Sequence, residues 1–171
     1  MLERFKVPEK DRVYVPEDRI RAATEAILRH NRLTPDEAAT SADVLIKNDL
    51  RGVESHGVSN GLRRYVAEYG SNKLNPTPEF KVTRESKTTM TIDADRALGI
   101  HVGPWAMQHA IDKAKEFGMG AVAVTNSGHL AGCGYYAMMA AEQGMIGHCM
   151  TAGGSHQTVP TFGSLTSRVT Q

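Results

Sequence analysis

Two short polar clusters hold most of the side chains that could do chemistry. The first, Thr125-Asn126-Ser127-Gly128-His129-Leu130-Ala131-Gly132-Cys133-Gly134, sets an imidazole directly after a short apolar run and just before a segment with helical spacing. Its glycines let a ligand approach the backbone, and a helix start offers free N–H donors. An unperturbed imidazole titrates near about 6.5 and exchanges a proton at neutral pH, which makes His129 a candidate acid/base. A loop histidine can equally hydrogen-bond its own turn, and spacing leaves both roles open.

The second cluster is Glu54-Ser55-His56-Gly57, where a hydroxyl, an imidazole and a backbone donor could meet one substrate oxygen. Adjacent Ser55 and His56 do not by themselves make a hydrolase. A nucleophile needs a base held by a third group, and no G-x-S-x-G elbow surrounds Ser55. The plainer alternative is a helix cap. Asn60, Arg63 and Arg64 follow closely. An arginine at this point could grip a carboxylate through two parallel hydrogen bonds, or it could be solvated surface charge.

Other chemistry is excluded by pattern. Gly128, Gly132 and Gly134 are not spaced as G-x-G-x-x-G, and no acidic residue closes a following strand, so an ordinary Rossmann site is rejected. No G-x-x-x-x-G-K-[ST] loop is present for a nucleoside triphosphate. His30 and His109 fall in amphipathic segments, and His148 lies in an apolar run and reads as a core histidine. His101 and His156 read as loop residues without a partner at ligand spacing, and Cys133 and Cys149 lack it too, so no metal site is expected. Met107, Met138, Met139 and Met145 read as core filling.

These clusters need elements to hold them. Pro16-Glu17-Asp18 suits the start of a helix with Ile20, Ala23 and Ile27 on its buried stripe. Thr34-Pro35-Asp36-Glu37 reads as a capping box ahead of Ala38, Ala42, Leu45 and Ile46, so residues 16–50 form a helical hairpin. A third helix spans about Leu62 to Glu68, and Asn75-Pro76-Thr77-Pro78 breaks it into a connector. Phe80–Arg84 and Thr88–Asp93 read as strands, Gly103–Phe117 as a helix stopped by Gly118, and Ala121–Thr125 as a buried strand. Tyr135–Gln143 reads as a helix and Met145–Thr151 as another strand, which makes the last three a βαβ unit with a parallel pair. Ligands in parallel sheets gather at strand carboxyl ends, which here are Asn126–Gly134 and Thr151–Ser155.

The chain has 171 residues, enough for one ordinary domain or two small ones. Twenty Lys and Arg against 19 Asp and Glu give a net charge of +1, and that offers no bulk attraction for nucleic acid or an anionic membrane. No secretory leader and no run of 18 apolar residues is expected, and with two cysteines a reducing cytoplasm is the default.

Taken together, Leu50-Arg51-Gly52-Val53-Glu54-Ser55-His56-Gly57-Val58-Ser59, Asp93-Ala94-Asp95-Arg96-Ala97-Leu98-Gly99, Asn126-Ser127-Gly128-His129 with Gly134-Tyr135-Tyr136, Met150-Thr151 and Val159-Pro160-Thr161-Phe162-Gly163 resemble the malate/L-lactate dehydrogenase family, distinct from the Rossmann dehydrogenases, over residues 16–163. The resemblance implies an α/β fold: an N-terminal helical hairpin plus part of a non-Rossmann NAD(P)-binding domain with a βαβ unit. It divides the chain into a helical, substrate-side domain at 1–75 and a truncated nicotinamide-binding domain at 76–171. It implies a cytoplasmic homodimer that uses NAD or NADP to interconvert a small 2-hydroxy acid and 2-keto acid.

By the same resemblance, His129 and His56 are the catalytic residues, and Ser55, Asn60 and Arg63 bind substrate. Leu130, Thr151, Ala152 and Gly153 fall where the dinucleotide is held. Asn60 stands where many relatives have an arginine, so Arg63 is expected to supply the cation. Relatives are about twice as long. The chain is therefore expected either to pair with a complementing C-terminal half or, as the alternative, to act as an inactive binding or assembly module.

Overall fold

The computed structural model describes residues 8–151 and, for the backbone alone, 159–160 and 167–168. Helices α1 (Glu17–His30) and α2 (Pro35–Leu50) form the hairpin, and α3 (Val58–Gly70) packs on both. The capping box is present in full: Thr34 Oγ1 accepts from the Glu37 amide, and Glu37 Oε2 accepts from the Thr34 amide at 2.8 Å. A three-stranded sheet follows in the order β1 (Lys81–Glu85), β2 (Thr89–Ala97), β3 (Ala121–Ser127). β1 and β2 are antiparallel, whereas β2 and β3 are parallel. Helix α4 (Gly99–Phe117) makes the crossover between β2 and β3, and α5 (Gly134–Ala141) follows β3. A two-residue antiparallel pair, β4 (Val159–Pro160) with β5 (Ser167–Arg168), is separate from this sheet.

The parallel βαβ unit is thus β2-α4-β3, one step earlier in the chain than expected. Met145–Thr151 is not a strand: among the described residues it joins no ladder, although its burial alternates as a strand's would. Helix α4 also starts a turn earlier than Gly103, because Leu98 accepts from the His101 and Val102 amides and the first turn is buried. Pro104 fits inside it at the loss of one backbone bond.

Two apolar clusters hold the layers together. Leu28, Leu45, Tyr65, Leu98, Ile100 and Tyr136 tie the three N-terminal helices to α4 and α5. Met90, Ile92, Ala94, Val102 and Ala106 seal the sheet against α4, with Phe80 and Trp105 at the rim. Trp105 is the one tryptophan of the chain, and its ring lies 4.0 Å from that of His109 and 5.4 Å from that of Phe80. Met107 and Met139 fill the first cluster as expected, but Met138 is 43% exposed.

Two histidines depart from expectation. His101 is not in a loop; it is in α4, buried against Glu37 with Nε2 3.3 Å from Oε1, so the residue that caps α2 also receives this ring. His148 is exposed rather than a core residue, because its segment lacks strand neighbours.

The sheet bends toward the site through strained backbone. Asp95, Arg96 and Asn126 have φ of 50°, 59° and 53°, the left-handed region that costs non-glycine residues roughly 1–2 kcal/mol each. Asp93 holds the bend, Oδ1 accepting from the Asp95 amide and from Asn126 Nδ2, both at 2.9 Å. The β2–β3 register shifts between Asp93 and Ala97, and the Gly128 amide then donates to Ala97 O at 2.7 Å. The bend lays the start of α4 under the His129 loop. A Cβ on Gly99 would stand 2.5 Å from the His129 carbonyl oxygen, so only glycine permits this approach.

Candidate active site

His129 and His56, 73 positions apart, are brought face to face. Their ring centroids are 5.7 Å apart and the planes differ by 15°. His129 lies just beyond the carboxyl end of β3, and His56 in a short helical turn (Glu54–His56) between α2 and α3. Ser55 Oγ lies 2.8 Å from His56 Nδ1, and among the described residues no carboxylate orients that imidazole. The Ser55–His56 pair therefore lacks the third member a hydrolase needs.

Three side chains outside the sequence expectation complete the arrangement. Tyr65, on α3 and fully buried, places its hydroxyl 2.8 Å from His129 Nδ1, which also receives the Ala131 amide at 3.3 Å. Both contacts use Nδ1, and among the described residues Nε2 makes no hydrogen bond. Asn48, 3% exposed on α2, donates from Nδ2 to His56 O at 3.3 Å. Its amide also lies against Gly132, where a Cβ would come within 2.6 Å of Oδ1, so one side chain braces both loops. Asp49 Oδ2 accepts from the Val58 amide at 2.8 Å, capping α3 from the end of α2 with charge of the favourable sign.

The electrostatics favour neutral imidazoles. Burial and the nearby Arg64 guanidinium both lower the His56 pKa. For His129, burial, then Arg64, then His56 push it down to about 4, with Glu68 opposing. Burial pushes the Tyr65 phenol up to about 12, so it stays protonated. Of the two arginines, Arg64 is the one whose charge acts on both rings; it lies 5.1 Å over the Tyr65 ring. Arg63 is exposed. The phase of α3 explains this, since Tyr65 must point inward and its immediate neighbour lies beside it at the site rim. Asn60 turns its amide to Glu54 O at 2.9 Å and closes the loop.

A groove of about 1000 Å³ has Ser127, Gly128, Leu130 and Thr151 in its lining; His129 stands between two of these in sequence but is not itself a lining residue. Of the expected dinucleotide contacts, Leu130 and Thr151 line this groove, while Ala152 and Gly153 lie outside the described residues. Among the described residues no group of three or more His, Cys, Asp or Glu could hold a metal, and no helix is long and apolar enough to cross a membrane.

The sequence signals for the added residues are uneven. Asn48 shares a helical face with Ser41 and Leu45, an otherwise closed stripe, and a polar residue there asks for a partner. Tyr65 has no local signal, because its partner is 64 positions away.

A family model described as malate/L-lactate dehydrogenase matches residues 15–171. The chain is 43% identical over 143 residues to the malate dehydrogenase of Pyrococcus abyssi, covering 84% of this chain and 39% of that protein. It is 38% identical over 125 residues to the L-sulfolactate dehydrogenase of Methanocaldococcus jannaschii, covering 73% and 36%. The solved structure of malate dehydrogenase from Pyrococcus horikoshii OT3 superposes with a TM-score of 0.77 at 42% identity, covering 84% of this chain and 41% of that one. The chain thus spans about two fifths of the length of the relatives it matches.

Proposed function

The chain belongs to the malate/L-lactate dehydrogenase family, and on that premise we propose that it contributes the proton-transfer half of a dehydrogenase acting on a small 2-hydroxy acid and its 2-keto acid. The observation that carries this reading is the stacked His56–His129 pair, with Tyr65 behind one ring and Arg64 beside both.

The substrate carboxylate pairs with Arg64 and the hydroxyl donates to Nε2 of His129. With its pKa near about 4, His129 is a bare base at neutral pH. The active tautomer carries its proton on Nδ1 and donates it to the Tyr65 oxygen, giving up the Ala131 amide contact that the other tautomer accepts at Nδ1. A hydroxyl can donate to Nδ1 or accept from it, so Tyr65 serves either tautomer. Arrival of the carboxylate offsets the Arg64 charge that depresses His129, and the imidazole becomes a stronger base once substrate is seated. His56, tethered by Ser55, caps the other side of the reacting atoms.

The groove lined by Ser127, Gly128, Leu130 and Thr151 has room for a nicotinamide, so these residues, which flank His129 in sequence or follow the next apolar run, would hold that end of NAD or NADP; Ala152 and Gly153 are assigned to the cofactor by the family resemblance alone. The cofactor supplies hydride acceptance from the carbinol carbon. The same reading carries a homodimer in the cytoplasm and a division into residues 1–75 and 76–171. Arg64 takes the substrate-anchoring role first assigned to Arg63, while Asn60 and Ser55 shape the loop.

The test is protection of the chain by NADH and NADPH in thermal melts, with turnover across a panel of 2-keto acids. Binding of either cofactor, abolished turnover in His129→Asn and a raised KM in Arg64→Met support the reading; absence of any nicotinamide binding refutes it. A second reading is an assembly module without catalysis. It predicts that His129→Asn changes no property except stability.

A further inference from the structure

Cys133 and Cys149 take no part in the chemistry assigned to the imidazoles, yet both sit close to it in the chain. Cys133 caps α5, four positions after His129. Cys149 lies in the extended segment after α5, two positions before Thr151. Local backbone geometry brings the two together. At the end of α5, Gly144 turns the chain with φ of 74°, and the Met145 amide donates back to Ala140 O at 3.1 Å. From there the segment retraces the helix toward its start, with Gly147 pressed on Ala137 so closely that a Cβ would overlap the carbonyl oxygen. Two residues of extended chain advance roughly 6.6 Å and one helical turn about 5.4 Å, so the facing pair after 147 and 137 is 149 and 133. Side-chain alternation gives the same answer: Met145, Gly147 and Cys149 are half-buried on the helix side, whereas Ile146, His148 and Met150 are exposed. Cys149 packs against the cluster that contains Tyr136 of α5, and the Cys133 thiol is its hydrogen-bonding neighbour. Both are free, half-buried thiols.

We propose that Cys133 and Cys149 are a dithiol–disulfide modification site, oxidised by a low-molecular-weight disulfide, whose bridge ties the segment carrying Thr151 to the loop carrying His129. The Cys133 thiolate attacks one sulfur of the small disulfide, forming a mixed disulfide and releasing one small thiol. The Cys149 thiolate then attacks the Cys133 sulfur, forms the internal bridge and releases the second small thiol. The two protein thiols lose two electrons and two protons, and the small disulfide is reduced to two thiols that take them up. The order follows from the surroundings: burial and the adjacent Cys133 push the Cys149 thiol up to about 12, so it is the second to react. Once Cys133 is in mixed disulfide its charge no longer opposes the Cys149 thiolate, and the first step thereby prepares the second. The bridge spans 16 positions and holds the backbone at both ends of α5's docked segment. Thr151 and Gly128, which share the groove lining, are then fixed relative to one another. Because thiol oxidation is read by mass and stability, the inference does not depend on the acid/base role of His129.

The test takes the full chain purified under reductant, exposes it to glutathione disulfide, and follows intact mass and thermal unfolding. The expected product has lost two hydrogens and carries no glutathione. After chemical cleavage at methionine, residues 120–138 and 146–150 should stay joined until dithiothreitol is added. The melting temperature of the oxidised chain should exceed that of the reduced chain by about 5 °C or more and return with dithiothreitol, and the His129 ring resonances should differ between the two forms. Cys149→Ala should stop at a mixed disulfide on Cys133 with no such rise. The wild-type comparison before and after reduction stands whatever the stability of that variant. A chain that stays reduced, that ends with glutathione on both cysteines, or that links only to second copies overturns the proposal. So does a bridge that leaves the melting temperature and the His129 resonances where they were.

Discussion

Acidification of the chain offers a direct reading of the His129 environment. In the unfolded chain this imidazole titrates near its ordinary value of 6.5, and in the fold it is pushed down to about 4. Between those values the unfolded state binds a proton that the folded state refuses, so stability falls as pH drops from 6.5 toward 4 and levels off below. The gap corresponds to about 3 kcal/mol at 1.36 kcal/mol per unit, or about 2 kcal/mol once the partial solvent contact of the ring is allowed for. His56 and His101 are shifted in the same direction and steepen the wild-type slope, as do carboxylates at the acid end. The variant His129→Asn isolates the one ring, because its amide oxygen can replace Nδ1 as acceptor for Tyr65 and the Ala131 amide. Urea unfolding at half-unit steps from pH 7.5 to 4.5, followed by far-ultraviolet circular dichroism, gives both stability curves. The stability difference between the two proteins should shift by about 2 kcal/mol in favour of the variant across that range. Parallel curves, offset by a constant, would mean that His129 is neither desolvated nor within the field of Arg64.

Three further substitutions probe the same geometry. Tyr65→Phe removes one hydroxyl from a closed core; it should cost about 1 kcal/mol of stability and lower kcat about tenfold to hundredfold with little change in KM, measured by steady-state kinetics. Arg64→Met should raise KM for 2-keto acids about thirtyfold, the worth of a charged hydrogen-bonded pair, and shift the His129 ring resonances in a pH titration by nuclear magnetic resonance toward a higher pKa. An unmoved KM would return the carboxylate role to another residue. Gly99→Ala should cost about 1–3 kcal/mol in thermal unfolding, since its methyl would meet the His129 carbonyl, and should change the His129 resonances more than those of His30.

The local grammar of the chain announces most of its elements. Thr34 and Glu37 mark the start of α2, Gly118 ends α4, and alternation marks β1 and β2. What escapes is set by distance. Tyr65 looks like any core tyrosine until β3 delivers His129 to it. Arg63 and Arg64 differ only by a 100° step around α3, and the choice between them depends on which direction the core lies. His101 reads as a loop residue because Gly99 and Gly103 mask a helical turn whose first residues are buried. Met145–Thr151 has a strand's pattern without a strand's bonds, since a pattern records what a segment can pair with and a ladder records what it meets. The clusters around His56 and His129 were both visible as candidates, but their stacking depends on Asn48, which braces two loops from a helix that belongs to neither.

The placement of Trp105 has an experimental use. A single indole means that intrinsic fluorescence reports one place only, the seam between α4 and the sheet, while circular dichroism sums every helix. Superimposable transitions from the two signals would identify one cooperative unit, and a lag between them would show the hairpin and the sheet melting as separate bodies.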